Sequence, residues 1–304
     1  MGHALAARLG RGQIRCRILT RHPQRHRDLG ILPGISLVQG DVFDAEFLRE
    51  QFAGCEAVIN LVGILNEKRR SRGAGFRRYH VELVERVIAA AQQAGVQRYL
   101  HMSALHANPG GPSQYLKSKG EGEALALGAA QAGLRVTSFR PSVIFGPGDG
   151  LFNRFADLLA MAPGVVPLAC PDARFQPVFV GDVADAFARA LDDPNTWGQS
   201  YDLCGLRQLS LREILAYTAQ LLGRRVLLVG LGDRLSRLQA RVLDFVPGRP
   251  FTPDNYLSMG VNSCCAGNDL ARFGIRQRGI EEIVPLYLGH GAQRDRYNLL
   301  RQKV

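Results

Sequence analysis

Tyr115-Leu116-Lys117-Ser118-Lys119, with Ser103 twelve residues upstream, contains the side chains that move a proton at a carbonyl. A tyrosine and a lysine four apart on a helix project from one face. An ammonium within about 4–6 Å of a phenol lowers its pKa from near 10, typically by one to three units. A phenol tuned in this way is a general acid/base for redox or epimerase chemistry. Lys117 falls near the opposite side of such a helix and should not substitute for Lys119. The chain holds eight Tyr and four Lys, so roughly 0.1 such pairs are expected by chance. Because nearly every other cation is Arg, a Lys here suits a site that needs a compact ammonium with a movable pKa. An ordinary amphipathic helix carrying a surface Tyr and Lys has the same spacing, so the surrounding elements must decide.

Those elements read as α/β. Short β-branched runs predict strands over 15–20, 36–39, 57–62, 98–102 and 135–139. Helical periodicity predicts helices over 45–52, 76–94 and 114–132, with Tyr79, Leu83, Val87 and Ala90 forming a sheet-facing stripe on the second. Strands alternating with helices give a doubly wound parallel sheet, whose ligands lie at the carboxyl ends of the strands. Arg21, helped by Arg25, follows the first strand and can take a 2′-phosphate or be a solvated basic loop. Asp41-Val42 closes the next strand, where Asp41 either accepts from an adenine amine or caps a helix. Asn60 and Gly63 end the third, and Gly63 lets backbone approach a cofactor closely. Ser103 lies just past the fourth, within plausible reach of Tyr115.

Composition narrows the class. With 304 residues, 46% hydrophobic and 21% charged, the chain can bury a full core. No stretch of 18 apolar residues and no signal peptide is legible, so a cytoplasmic protein is expected, with peripheral contact at the inner face of a membrane as a variant. The six cysteines show no CxxC pair or His at ligand spacing, so they read as reduced packing residues, with no metal site. The net charge of +11 is mostly Arg, with clusters around 69–72 and 294–296. It draws anions, but no RNA-binding signature accompanies it, and nucleic acid is not an expected partner.

Taken in order, Ser103, Tyr115-x-x-x-Lys119, Arg140-Pro141-Ser142-Val143-Ile144-Phe145-Gly146-Pro147 and Pro177-Val178-Phe179-Val180-Gly181-Asp182-Val183-Ala184 resemble the stations of extended and atypical short-chain dehydrogenase/reductases. Within that superfamily the chain is most similar to bacterial relatives of the NAD(P)H-binding accessory subunit of respiratory complex I. Phe251-Thr252-Pro253-Asp254-Asn255-Tyr256-Leu257 and Leu270-Ala271-Arg272-Phe273-Gly274-Ile275 strengthen the narrower match. The resemblance implies a Rossmann-type domain over 1–165, with 176–192 packing on it, and a smaller substrate or partner domain over 193–304. It implies Tyr115 as general acid/base, Lys119 on the nicotinamide ribose, Ser103 on the substrate oxygen, and Pro141 and Val143 beside the cofactor. The basic loop favours NADP(H) over NAD(H). Two functions follow: an oxidoreductase or epimerase on a small, apolar substrate, or a non-catalytic NADPH-holding structural or assembly protein at a respiratory complex.

The family's first strand and its glycine-rich loop should precede the first crossover helix. Here Met1-Gly2-His3-Ala4 reads as that helix already under way, with Gly2 as the last glycine of the fingerprint. The expectation is either a start displaced downstream of the true one or a variant that has given up tight dinucleotide binding. Farther along, Leu231, Leu235, Leu238 and Val242 share a stripe flanked by Arg234, Arg237 and Arg241, which either packs inward or docks on an anionic surface. Apolar residues over 151–166 point to a greasy substrate, and Asp182 is expected to cap the helix that follows it.

Overall fold

The structure is a computed structural model that describes residues 1–67, 71, 73–161 and 164–288. Arg69, Arg70, Arg72, Arg294 and Arg296, which carry the two basic clusters, lie outside these residues. The chain forms two compact units. The first comprises 1–141, 183–202 and 269–275; the second comprises 142–182, 203–268 and the chain from 276 onward. The expected boundaries at 165 and 193 are therefore crossed. Residues 142–165 join the second unit, while 193–202 and 269–275 return to the first.

The first unit begins with α1 (Gly2–Arg11), β1 (Cys16–Thr20), β2 (Ile35–Gln39), α2 (Ala45–Phe52) and β3 (Ala57–Asn60). It continues through α3 (Ala74–Arg77), α4 (Leu83–Gln93), β4 (Arg98–Met102), α5 (Gln114–Gly128) and β5 (Arg135–Pro141). Parallel ladders join β1 to β2, and β3 to β4 to β5. They form two separate sheets, one of β1 and β2 and one ordered β10-β5-β4-β3, with β10 at Gln199–Leu203. A continuous doubly wound sheet would need one more strand between β1 and β3. The layers meet in a core built from Leu48, Phe52, Val58, Leu83, Val87, Tyr99 and Val136.

The predicted helix over 76–94 is broken by a π-turn, Arg78–Glu82, between α3 and α4. The extra residue rotates the stripe by one position. His80, not Tyr79, is buried there, while Tyr79 packs edge-on against Phe43 at 5.3 Å between ring centres. The strand predicted over 57–62 stops at Asn60, whose Oδ1 accepts the Val62 N–H at 3.0 Å and turns the chain. Helix α2 is capped by Asp44, which accepts from Glu46 and Phe47 N–H, so the cap belongs to Asp44 and not Asp41.

The second unit holds β6 (Ile144–Phe145), α6 (Phe152–Met161), β7 (Val165–Leu168), β8 (Arg174–Phe175) and β9 (Val178–Phe179), and the start of α7 (Val180–Ala190). It adds β11 (Leu209–Ser210), α8 (Leu211–Leu221), β12 (Leu227–Gly230), α9 (Asp233–Leu243) and α10 (Pro253–Met259). Its strands pair in twos: β6 with β9, β7 with β12, and β8 with β11. Phe145, Phe152, Leu159, Val166 and Ile214 form its core. Within the apolar run over 151–166, Leu151, Phe152, Leu159 and Val166 are used in this packing, whereas Leu158, Met161 and Val165 are exposed. Asp182 lies inside the first turn of α7 rather than capping it, and its carboxylate accepts the Arg278 backbone N–H at 2.9 Å and guanidinium at 2.7 Å.

Two cysteines overturn the all-reduced expectation, because Cys204 and Cys265 form a disulfide across 61 residues. Such a separation carries no spacing signal. The two are brought together by the backbone around Gln176, whose side chain donates to Gly205 O and accepts the Cys265 N–H. Cys16, Cys55, Cys170 and Cys264 form no disulfide among the described residues.

Two glycines let α5 lie directly on neighbouring backbone. A Cβ on Gly122 would sit 1.9 Å from His80 O, and one on Gly120 would sit 2.5 Å from Asn108 backbone. Gly122→Ala should therefore cost about 1–3 kcal/mol or more in urea unfolding. Gly128→Ala, where a Cβ meets nothing within 4 Å, should be neutral or stabilising by about 0.4–1 kcal/mol. Equal stability of the two variants would contradict this packing.

Candidate active site

Lys119 ties the site together. Buried in α5, it donates from Nζ to the carbonyl of Met102, the last residue of β4, at 2.5 Å. That bond fixes the helix face bearing Tyr115 against the strand end bearing Ser103. Ser103 is buried, and its backbone N–H is held by Phe139 O at 2.8 Å. Its Oγ has no hydrogen-bond partner among the described residues. A buried hydroxyl left unpaired costs about 1–3 kcal/mol, a deficit that a ligand oxygen would make good.

Helix α5 starts at the Ser113 cap, whose side chain accepts the Leu116 N–H, so Tyr115 sits in the first turn. The residue keeps part of its surface accessible, but the surroundings of the hydroxyl are dry enough that burial pushes the phenol up to about 12. Burial brings the Lys119 ammonium down to about 8, with Glu123 acting against it. The phenol is thus raised rather than lowered. The lowering expected from Lys119 is not seen: burial alone sets the direction, and the ammonium is engaged with the Met102 carbonyl. At neutral pH the phenol is protonated and the lysine charged, which is the protonation state of an acid.

Sequence reasoning missed His80. The π-turn buries its ring against Tyr115, with centroids 5.7 Å apart and planes at 82°. Nε2 accepts the Ile64 N–H at 3.0 Å, so in the neutral ring Nδ1 carries the proton, 2.9 Å from Ser118 Oγ. Ser118 in turn donates to Tyr115 O at 3.0 Å. Burial first, then the charge of Lys119, lower the His80 pKa to about 3. The sequence carried no signal for it, since Tyr79 completed the expected stripe and only the π-turn exchanges the two. A second neutral histidine, His101, lies on β4 with its Nδ1 3.3 Å from the Tyr99 hydroxyl. Its Nε2 is buried without a partner among the described residues.

The remaining predicted residues fall in different places. Gly63 belongs with the triad, since a Cβ there would lie 3.4 Å from His80 Nε2 and 3.9 Å from Lys119 Nζ. Asn60 is buried and donates to Tyr99 OH at 3.1 Å, so its amide supports the strand end. Arg21 is exposed at the end of β1 and has no ion-pair partner among the described residues. Asp41 is exposed and uses Oδ1 to accept the Phe43 N–H, and Val42 packs on the first core. Gly2 opens α1, where a Cβ would meet nothing within 4 Å. Pro141 ends β5, whereas Val143 belongs to the second unit and packs in its core.

The description "NAD dependent epimerase/dehydratase family" matches residues 1–204. The chain belongs to that family. Its curated relatives include the mouse mitochondrial NADH dehydrogenase [ubiquinone] 1 alpha subcomplex subunit 9, 29% identical over 192 residues, covering 63% of this chain and 49% of the relative. Another is the 4-hydroxy-2-methyl-3-oxo-4-farnesyl-3,4-dihydroquinoline-1-oxide ketoreductase of Stigmatella aurantiaca, 29% identical over 164 residues, 49% of this chain and 48% of the relative. The chain thus spans about half the length of the curated relatives it matches. Among solved structures, Thermus thermophilus UDP-glucose 4-epimerase in complex with NAD superposes with a TM-score of 0.63 at 19% identity, covering 84% of this chain and 95% of that one. This likeness supports the Rossmann-type fold.

For this family member, His80 should show no imidazole titration between pH 5 and 8, which NMR of its ring would test. Its folded pKa lies below its unfolded value of 6.5, so the unfolded chain binds more protons between the two. Stability should fall as pH drops below 6.5. His80→Asn should flatten that fall, and a titration near 6.5 would refute the buried neutral ring.

Proposed function

We propose that this protein is an NAD(P)-dependent carbonyl reductase of the epimerase/dehydratase family. The observation that carries the proposal is the buried, unpartnered Ser103 Oγ, one residue beyond the carbonyl that Lys119 holds. The residues at this end of the site fit a nicotinamide cofactor, with Lys119 as a buried donor and Gly63 presenting bare backbone. When bound, the cofactor supplies a hydride to the substrate carbon. Ser103 Oγ orients the carbonyl oxygen, and Tyr115, protonated up to about pH 12, delivers the proton that turns it into a hydroxyl. Lys119 holds positive charge beside that oxygen as electron density builds.

Arg21 is exposed without an ion-pair partner among the described residues, which favours a 2′-phosphate and hence NADP(H) over NAD(H). The first turn of α1 carries no acidic residue and no side-chain cap, leaving its N–H groups suited to an anion. The name of the Stigmatella relative, a ketoreductase of a farnesylated ring ketone, supports a lipophilic carbonyl substrate. A second reading rests on the respiratory relatives and on the raised phenol: a nucleotide-holding protein peripheral to a membrane-bound respiratory assembly, with an idle triad.

NADPH oxidation with isoprenoid or quinone-like ketones separates the two readings. Reduction should need Tyr115 and Ser103, with Tyr115→Phe losing on the order of a hundredfold to ten-thousandfold in kcat. Wild-type kcat/KM should be level below pH 7 and fall through about 8, as Lys119 loses its charge. Arg21→Ala should raise the KM for NADPH and leave that for NADH unchanged. Binding of NADPH with no turnover on any carbonyl would favour the second reading.

A further inference from the structure

We propose that α9 is an in-plane membrane anchor that docks the second unit onto an anionic lipid surface. Its Ser236 and Ala240 are buried against the unit. Ser236 Oγ accepts the Cys170 N–H and donates to Leu231 O, so small residues seat the helix. The apolar stripe is then turned outward. Leu235 and Leu238 are each 54% exposed and Val242 is 57% exposed, and Phe245, just past the helix, is 67% exposed. At 100° per residue, the Leu235, Leu238 and Val242 positions lie on the side of the helix away from Ser236 and Ala240.

Exposed apolar residues scattered singly are ordinary, but three on consecutive turns of one helix form a continuous surface. The charge beside them identifies the occupant. Arg234, Arg237 and Arg241 form a row adjoining the stripe, and all three are exposed. Arg237 pairs with Asp233 at 3.1 Å, whereas Arg234 and Arg241 have no ion-pair partner among the described residues. A hydrocarbon stripe bordered by unpaired guanidinium groups matches a surface that offers hydrocarbon and anions in one plane, as an anionic bilayer does. The net charge of +11 adds a long-range attraction of the same sign. No described helix is long and apolar enough to cross a membrane, so contact through α9 would be peripheral. The proposal is independent of the redox reading, because none of these residues belongs to the catalytic site.

Co-sedimentation with vesicles of phosphatidylcholine, with and without phosphatidylglycerol, tests it. Binding is expected only to the anionic vesicles and should weaken as salt is raised. Arg234→Gln/Arg241→Gln should weaken binding on the order of thirtyfold, at about 1 kcal/mol per basic residue. Leu235→Ser/Leu238→Ser should weaken it about tenfold or more, with the thermal transition of both variants unchanged. Failure of the wild type to bind anionic vesicles, or undiminished binding by both variants, would overturn the proposal. So would a stable dimer in sedimentation velocity that Leu238→Glu dissociates, since a second copy would then cover the stripe.

Discussion

The closeness of α5 to the backbone on either side of it is the constraint on which the site depends. Gly120 lies against Asn108 and Gly122 against His80 O, with no space for a methyl group at either position. This lets α5 sit deep enough for Lys119 to reach the Met102 carbonyl with its side chain buried. A helix held one side-chain layer farther out would leave Lys119 in water and out of reach of the Met102 carbonyl. The glycines therefore position a cation, and the cation joins the two halves of the site.

Burial then sets the chemistry. The Tyr115 phenol is pushed up, the Lys119 ammonium down, and the His80 imidazole is kept neutral, each chiefly by desolvation. A neutral histidine beside a buried ammonium avoids repulsion between two like charges; its Nε2 accepts from the loop after β3, and its Nδ1 proton reaches the backbone of α5 through Ser118. The loop that carries Gly63 is thereby tied to the helix that carries Tyr115. Glu123, also buried, keeps a carboxylate near Lys119 while accepting from Arg140 and Ser138.

The four-stranded sheet has its own fastening. Arg98 is buried at the start of β4 and donates to the carbonyls of Arg135, Ala190 and Leu191 and to the hydroxyls of Thr137 and Thr196. Burial lowers its pKa to about 10, so it keeps its charge at neutral pH. It clamps β4 and β5 to the end of α7 at the edge of the sheet opposite the site. The carboxyl ends of β3 and β4 are left to the candidate site residues, where open parallel sheets place their ligands.

Local chemistry made much of this legible before any folding. Short β-branched runs located β1 to β5, and the Tyr115/Lys119 spacing with Ser103 singled out the candidate residues, because these features depend on neighbours a few residues apart. Tertiary structure alone decided what depends on distant partners. The π-turn exchanged Tyr79 for His80, since an inserted residue rotates a helix without changing its composition. The Cys204–Cys265 bond joined residues 61 apart that only the backbone around Gln176 brings together. The sign of the Tyr115 shift was also hidden: spacing suggested a lowering by the lysine, but the packed interior supplies a desolvation that raises it. The α9 stripe shows the same division. Its amphipathicity is written in the sequence, but which face turns outward was decided by where Ser236 and Ala240 could fit.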